Sequence, residues 1–400
     1  MLYSAVEYGQ IPAERECVME LMNLLDYLTA CTDEMVDLLT RFVEMESPTT
    51  DKEAVDRFGA ALAAEFRAVG GTVEVLRQPQ AGDHLRVTWG EGEKQLLLLG
   101  HMDTVWPMGT VRERPVRIED GRLYGPGAHD MKGGLVIALF ALRALGHLGL
   151  TPPRRVVILC NSDEEMGTHT SRAIIEEEAL RSEAVLVLEP PIGPQGILKT
   201  WRKGVGIFTI TAYGRAAHAG GNHEQGVNAI EELARHVLYL QGLTDYRRGI
   251  TVNVGLISGG SRSNVVPERA EAVVDIRVMT TEEGERMEKV IRSLQPRHPL
   301  ARLEVRGGFN RPPMVRTPAI VALFRQAQAL AQELGFHVDE GGTGGGSDGN
   351  FTAALDVPTL DGLGAVGDGA HALHEHVVIA ELPRRAALLA ALLLRLQVED

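Results

Sequence analysis

At 400 residues the chain exceeds what one hydrophobic core ordinarily serves, so two domains are expected. Its 44% hydrophobic and 24% charged residues are those of a globular protein, and 54 acidic against 40 basic residues give a net charge of −14, which argues against nucleic acid or an anionic membrane as partner. The three cysteines, Cys17, Cys31 and Cys160, are too widely spaced for a disulfide framework or a zinc finger and fit a reducing, cytoplasmic setting.

Residues 1–32 read as an N-terminal extension. Glu7, Glu14, Arg15, Glu16 and Glu20 interrupt any apolar stretch there, which argues against a secretory signal. Thr32 is expected to cap a helix carrying Met35, Val36, Leu38, Leu39, Phe42 and Val43 at helical spacing, and Val55, Phe58, Leu62 and Phe66 repeat the pattern. Apolar strands then alternate with helices. The strands are Leu96–Leu99, Val156–Leu159, Val185–Leu188 and Val357–Leu360, and the helices fall near 132–146, 169–180, 317–334 and 381–397. The apolar run Ala386 to Leu394 is far shorter than the roughly 20 residues that span a bilayer, so a buried helix is expected and no membrane association. Continuous apolar strands separated by helices indicate an α/β fold, a mainly parallel sheet covered by helices on both faces.

Between Gly204 and Gly308 the texture changes. Ile207–Tyr213, Thr251–Ile257, Ala272–Val278 and Arg302–Val305 read as half-exposed strands, with helices near 226–241 and 282–294 among them. This is the pattern of a smaller α+β domain, 204–308, inserted into a larger one formed by 33–203 and 309–400.

The chemistry gathers at strand ends. Leu96–Leu99 runs into His101 and Asp103, Val156–Leu159 into Asp163, Glu164 and Glu165, and Val185–Leu188 into Glu189. In open α/β sheets ligands bind outside the carboxyl ends of the strands, so these residues are expected to share one crevice. A glycine-rich turn, Gly125-Pro126-Gly127-Ala128-His129-Asp130, opens the next helix, and His371 is followed four residues later by Glu375. Asp103, Asp130, Glu164, Glu165 and Glu189 would place five carboxylates in one cleft. Like charges so close cannot all stay ionised without cations. Two divalent ions resolve the conflict, and oxygen donors with one imidazole per ion suit zinc, with cobalt or manganese as alternatives. His129, His374 and His376 read as bystanders and His169 as a helix residue.

The motifs Gly100-His101-Met102-Asp103-Thr104-Val105, Gly125-Pro126-Gly127 through Asp130-Met131-Lys132-Gly133-Gly134, and Asp163-Glu164-Glu165-Met166-Gly167 occur in this order. Gly214 through Gly220, Ser263-Asn264-Val265-Val266-Pro267, Asp275-Ile276-Arg277 and Thr343 through Asp348 follow. In these the chain resembles the di-zinc exopeptidases that include aminoacylase, acetylornithine deacetylase, succinyl-diaminopimelate desuccinylase and glutamate carboxypeptidase, most of all the bacterial glutamate carboxypeptidases. The resemblance implies that Asp130 bridges two metals, that Glu165 and His371 complete one shell and His101 and Glu189 the other, and that Asp103 orients His101. It further implies Glu164 as general base and a cis bond between Asp130 and Met131. The insertion would be a lid and homodimerisation domain whose His218 reaches the partner's active site. Asn264 and Arg277 would hold the substrate carboxylate, with the backbone of Gly345 and Gly346 close to it. Where that branch carries a second arginine this chain has Gly308, with Arg306 and Arg311 as nearby replacements. The expected activity is hydrolysis of an amide bond next to a free carboxylate in a small peptide, releasing a C-terminal amino acid such as glutamate. Deacylation of an N-acyl amino acid is the alternative, and a non-catalytic metal- or peptide-binding module a more distant one.

Overall fold

The computed structural model describes residues 13–398, with side chains from Met19 onward. The chain divides into two compact units. One comprises the chain up to Lys199, Pro318–Gly341 and the residues from Val357; the other comprises Thr200–Thr317 and Gly342–Asp356.

The first unit is built on a six-stranded sheet. Arg155–Asn161, Gln95–His101, Ala184–Val187 and Thr359–Leu360 lie side by side and parallel, and the antiparallel pair Thr72–Leu76 and His84–Trp89 extends the edge beside Arg155–Asn161. Leu96 to Leu99 and Ala184 to Val187 are buried throughout, because helices cover both sheet faces and leave no polar side. The sequence strand Val357–Leu360 shortens to its last two residues. The Thr72–Trp89 hairpin was not legible, since Thr72, Glu74 and Arg86 break its apolar pattern.

Helix Gly133–Leu148 runs through this core. Among the described residues only the stretch Ala128–Leu148 is long and apolar enough to cross a membrane, and 78% of its most apolar window is buried inside the fold, as a core helix requires. The N-terminal extension also joins this core: in helix Ala13–Ala30, Leu21, Leu24 and Leu28 are fully buried at helical spacing. The cap expected at Thr32 does not form. Its hydroxyl instead donates to the Thr29 carbonyl at 2.7 Å, at the end of the preceding helix, and Cys31 takes the cap position of helix Thr32–Glu44 without a side-chain bond.

A second, small antiparallel sheet in this unit orders Gly367–Asp368, His376–Val378, Arg122–Tyr124 and Arg117–Glu119. Its two-residue and three-residue strands are too short for a periodicity to register. Pairing His376 with Tyr124 brings the segment after His371 beside the glycine-rich turn at 125–130.

The second unit carries a four-stranded antiparallel sheet in the order Thr251–Gly259, Arg269–Val278, Gly204–Tyr213 and Arg302–Arg311. Ala270, Ala272, Val274, Ile276 and Val278 alternate onto one face, where helices Ala229–Gln241 and Thr281–Arg292 cover them. Asn228 caps the first helix by accepting from the Ile230 and Glu231 N–H groups at 3.0 Å, and Thr280 caps the second through Glu283 at 3.3 Å. The unit is wider than the segment 204–308 marked by sequence texture, because Arg302–Arg311 continues the sheet past Gly308. The glycine run also belongs here: Arg202 donates to the carbonyls of Gly345 and Gly346 at 3.3 and 3.0 Å.

Candidate metal centre

Three segments that carry candidate ligands leave the parallel sheet at the same end. His101 is the last residue of Gln95–His101 and pairs in register with Asn161, while Leu99 pairs with Val187. Glu164 and Glu165 therefore follow one neighbouring strand by three and four residues, and Glu189 follows the other by two. His101 Nε2 lies 3.2 Å from Asp130 Oδ1 and 3.5 Å from Glu189 Oε1. His371 Nε2 lies 3.3 Å from Asp130 Oδ2 and 3.2 Å from Glu165 Oε2. The two oxygens of Asp130 thus face two different imidazoles, each with its own second carboxylate. Ligand atoms of His101, Asp130 and Glu165 lie within 4.8 Å of one another, as do those of His101, Glu164 and Glu189. The Asp130–Met131 bond is cis.

The electrostatics are those of a cation site. Burial alone would discharge the His101 ring, yet Asp103, Asp130 and Glu189 hold its pKa well above the ordinary value. Hydrogen bonds to Asp130 and Glu165 raise His371 to about 10. Burial also opposes ionisation of Asp130, but His101 and His371 outweigh it and lower its pKa. Glu165 is pushed up to about 7, chiefly by burial. In the metal-free protein, protons on the imidazoles thus take the place of positive charge. Glu165 Oε1 is buried without a hydrogen-bond partner, an orphan atom of the kind a metal ion satisfies. Two imidazoles and a set of carboxylates with such an orphan fit a divalent metal, zinc included.

Asp103 is fully buried behind this set. Its carbonyl oxygen lies 2.9 Å and its Oδ1 3.5 Å from His101 Nδ1, which turns Nε2 toward the cleft. The same carboxylate accepts from the N–H groups of Glu164 at 3.3 Å and Glu165 at 3.2 Å, and from the Thr49 hydroxyl at 2.7 Å. One residue therefore sets both an imidazole, chiefly through its backbone carbonyl, and the turn that carries Glu164 and Glu165, through its carboxylate. His129, read as a bystander, is buried, and burial lowers its pKa to about 4.

In the second unit the expected substrate residues form two groups. His218 pairs with Val265 across a bridge, and Ala219 N–H donates to the Asn264 carbonyl at 3.0 Å, so His218 and Asn264 are neighbours. The exposed His218 ring accepts at Nδ1 from Gly220 and Gly221 N–H at 3.1 and 3.0 Å, which leaves the proton of the neutral ring on Nε2. Arg277 stands near the far end of strand Arg269–Val278. At about 3.3 Å per residue it is on the order of 25 Å from the His218 end, so one chain does not bring Asn264 and Arg277 together.

Arg277 instead lies beside the glycine run and donates from Nη1 to Gly344 O at 3.3 Å. Its Nε and Nη2 grip Asp275 at 2.7 and 2.8 Å, a carboxylate partner that the Asp275-x-Arg277 spacing on one strand face already signalled. The Gly345 N–H is taken by Thr343 Oγ1 at 3.2 Å. Of the replacements for the second arginine, Arg306 is exposed and bound to Glu304, and Arg311 is buried on Asp348 at 2.7 Å. The guanidinium that does approach Gly308 belongs to Arg292, which donates to Gly307 O at 2.7 Å.

Imidazoles and carboxylates gathered at the mouth of a parallel sheet make a candidate metal centre. Residues 97–395 match the sequence pattern of Peptidase family M20/M25/M40, and the chain belongs to this family of metal-dependent hydrolases. It is similar to carboxypeptidase G2 of Pseudomonas sp. (strain RS-16), with 32% identity over 92% of this chain and 91% of that one. It is also similar to succinyl-diaminopimelate desuccinylase of Xanthomonas euvesicatoria pv. vesicatoria (strain 85-10), with 28% identity over 85% and 93% of the two chains. Among solved structures, an M20 family metallo-carboxypeptidase from Sulfolobus solfataricus has the same fold at 19% identity, with a TM-score of 0.71 over 90% of this chain and 98% of that one.

Proposed function

We propose that the chain is a di-zinc carboxypeptidase or dipeptidase that releases a C-terminal amino acid of the glutamate type. The observation that carries this reading is the position of Glu164, with a carboxylate oxygen within 4.8 Å of ligand atoms on both His101 and Glu189. His101 and Glu189 would hold one ion, Glu165 and His371 the other, and Asp130 both. Two such ions supply Lewis acidity and lower the pKa of a coordinated water from about 15.7 toward about 7. Glu164 takes the proton of the attacking water and returns it to the leaving amine. Nε2–H of His218 donates to the carbonyl oxygen as charge develops there. Arg277, Asn264 and the backbone at Gly345 and Gly346 bind the carboxylate side of the substrate.

A dipeptide is far shorter than the distance on the order of 25 Å between the His218 end of the strand and Arg277. In this reading the chain is therefore a homodimer joined through the second unit, and His218 and Asn264 serve the partner's substrate. Leu256 and Ile257 on the edge strand Thr251–Gly259, and Leu238 and Tyr239 on the adjacent helix, are exposed and supply an apolar face for that contact. The free, buried thiols of Cys31 and Cys160 support a cytoplasmic setting.

The second reading, an N-acyl-amino-acid deacylase, is favoured by Gly308 and by the commitment of Arg306 and Arg311 to other carboxylates. Turnover of C-terminal-glutamate dipeptides against N-acetyl and N-succinyl amino acids, with and without chelator, separates the two. Glu164→Gln is expected to cost about 10³-fold in turnover with metal content unchanged, while Glu165→Gln loses metal. Near-normal turnover by metal-loaded Glu164→Gln refutes the mechanism.

A further inference from the structure

Glu375 lies four residues beyond His371, is completely buried, and coordinates nothing in the arrangement above. Its carboxylate accepts four hydrogen bonds. Oε1 takes the N–H groups of His129 and Asp130 at 3.0 and 3.1 Å, and Oε2 takes Gly127 N–H and the Trp106 indole N–H, both at 2.8 Å. Its carbonyl oxygen accepts from Gly125 N–H at 3.2 Å. These donors belong to the segments that carry the metal ligands. Trp106 is five residues after His101, the turn 125–130 ends in Asp130, and Glu375 itself closes the loop that holds His371.

We infer that Glu375 is a positioning residue that joins three ligand-bearing segments into one rigid centre, and that it sets metal affinity without touching metal or substrate. The inference rests on the metal-site reading above. The ligand His371 sits in a loop with φ +60° and a half-exposed ring, so it has little packing of its own to fix it. Asp130 follows a turn whose Gly127 has φ +75°. Neither element belongs to the main sheet, and the buried carboxylate fastens both to each other and to the chain leaving strand Gln95–His101. A carboxylate is required because two acceptor oxygens face four donors. An amide would keep one acceptor and turn its NH2 group against two N–H groups, leaving them unsatisfied in the interior.

The test compares wild type, Glu375→Gln and Trp106→Phe by competition for zinc against a chromophoric chelator and by the absorption spectrum of the cobalt-substituted protein. Glu375→Gln should bind metal about 10- to 100-fold more weakly and show an altered cobalt spectrum, with Trp106→Phe changed in the same direction by less. A residue that merely supports the fold would lower the melting temperature but leave affinity and spectrum as in wild type, and that result overturns the inference. If Glu375→Gln does not fold, Trp106→Phe decides, and wild-type affinity there overturns it too. Failure of the wild-type protein to bind zinc or cobalt would instead overturn the metal-site reading, and this inference with it.

Discussion

Removing the metal should make the stability that the cleft contributes to the fold fall as pH rises through neutrality, because the apo cleft is held by protons. His371 has its pKa raised to about 10 by Asp130 and Glu165, so its contribution is complete below about 6.5 and is lost as pH climbs toward 10. Glu165 is an acid raised to about 7, mainly by burial, so its neutral form favours the fold below 4.5 and that contribution disappears as pH passes 7. Asp130 runs the other way. Its lowered pKa gives stability above 3.8 that is lost only in acid, outside this window. Both changes between pH 5 and 9 are therefore destabilising, whereas buried His129, held at about 4, and buried Lys132, held at about 7, change stability the other way and are subtracted by comparison with the Glu165→Gln/His371→Gln double variant. For the nearly buried Glu165, raised from 4.5 to about 7, the part of the rise above pH 5.5 is worth about 2 kcal/mol. His371 is half exposed and adds little after solvent screening, about 1 kcal/mol at most. For a protein of this size that is a fall in melting temperature of about 4 °C relative to the double variant, at roughly 1–2 °C per kcal/mol. Bound metal needs the same ligands deprotonated, so zinc should release the protons of His101 and His371 and its affinity should rise with pH. Calorimetric melting of wild type and the double variant at pH 5.5, 7 and 8.5, in chelator and in excess zinc, reads both effects. A metal-free melting temperature that rises from pH 5.5 to 8.5 relative to the double variant, or zinc binding that releases no protons, would refute the reasoning.

Asp103→Asn turns an amide NH2 toward the N–H of either Glu164 or Glu165, each of which is now bound by a different carboxylate oxygen, and should weaken metal binding or turnover about 10- to 100-fold as measured by chelator competition and steady-state kinetics. Mixing Glu164→Ala with His218→Ala should restore part of the activity if His218 works in the partner's site; no recovery despite demonstrated subunit exchange would place its action in its own chain. Leu256→Arg charges the exposed edge strand and should shift the protein from dimer to monomer in sedimentation, with loss of turnover but not of metal. A variant that sediments as a dimer would direct the interface elsewhere.

Four of the candidate ligands and base are legible because they follow the points where apolar strands stop. Leu96–Leu99, Val156–Leu159 and Val185–Leu188 announce buried parallel strands, and in a parallel sheet all the following residues leave on one side. His101, Glu164, Glu165 and Glu189 could be grouped on that ground, and His371 only by resemblance. What sequence did not disclose was how the site is held. Glu375 reaches Trp106 across 269 positions and Gly127 across 248, through a sheet of two- and three-residue strands that carries no periodic signal. Residues 1–32 read in sequence as an extension without a part to play, although Leu21, Leu24 and Leu28 have the spacing of a buried face. Thr32 had the residue type of a cap, but the helix ending just before it offered its hydroxyl a nearer acceptor.

The second unit shows why residue identity outran residue placement. His218, Asn264 and Arg277 lie within one inserted segment, and a reader of sequence sets them around one substrate. The strand Arg269–Val278 forbids that within one chain: an extended backbone converts each residue of separation into about 3.3 Å, and no turn folds Arg277 back toward Asn264. A helix of the same length would have kept the ends at about half the distance, near enough for one long ligand. If both ends serve catalysis, one of them must act on a site other than its own. The tautomer fixed at His218 Nδ1 makes that end useful wherever it arrives, because an Nε2–H donor is what a developing oxyanion needs. Dimerisation in this reading is therefore part of the chemistry, and a monomer with both metals in place would lack the donor rather than the water.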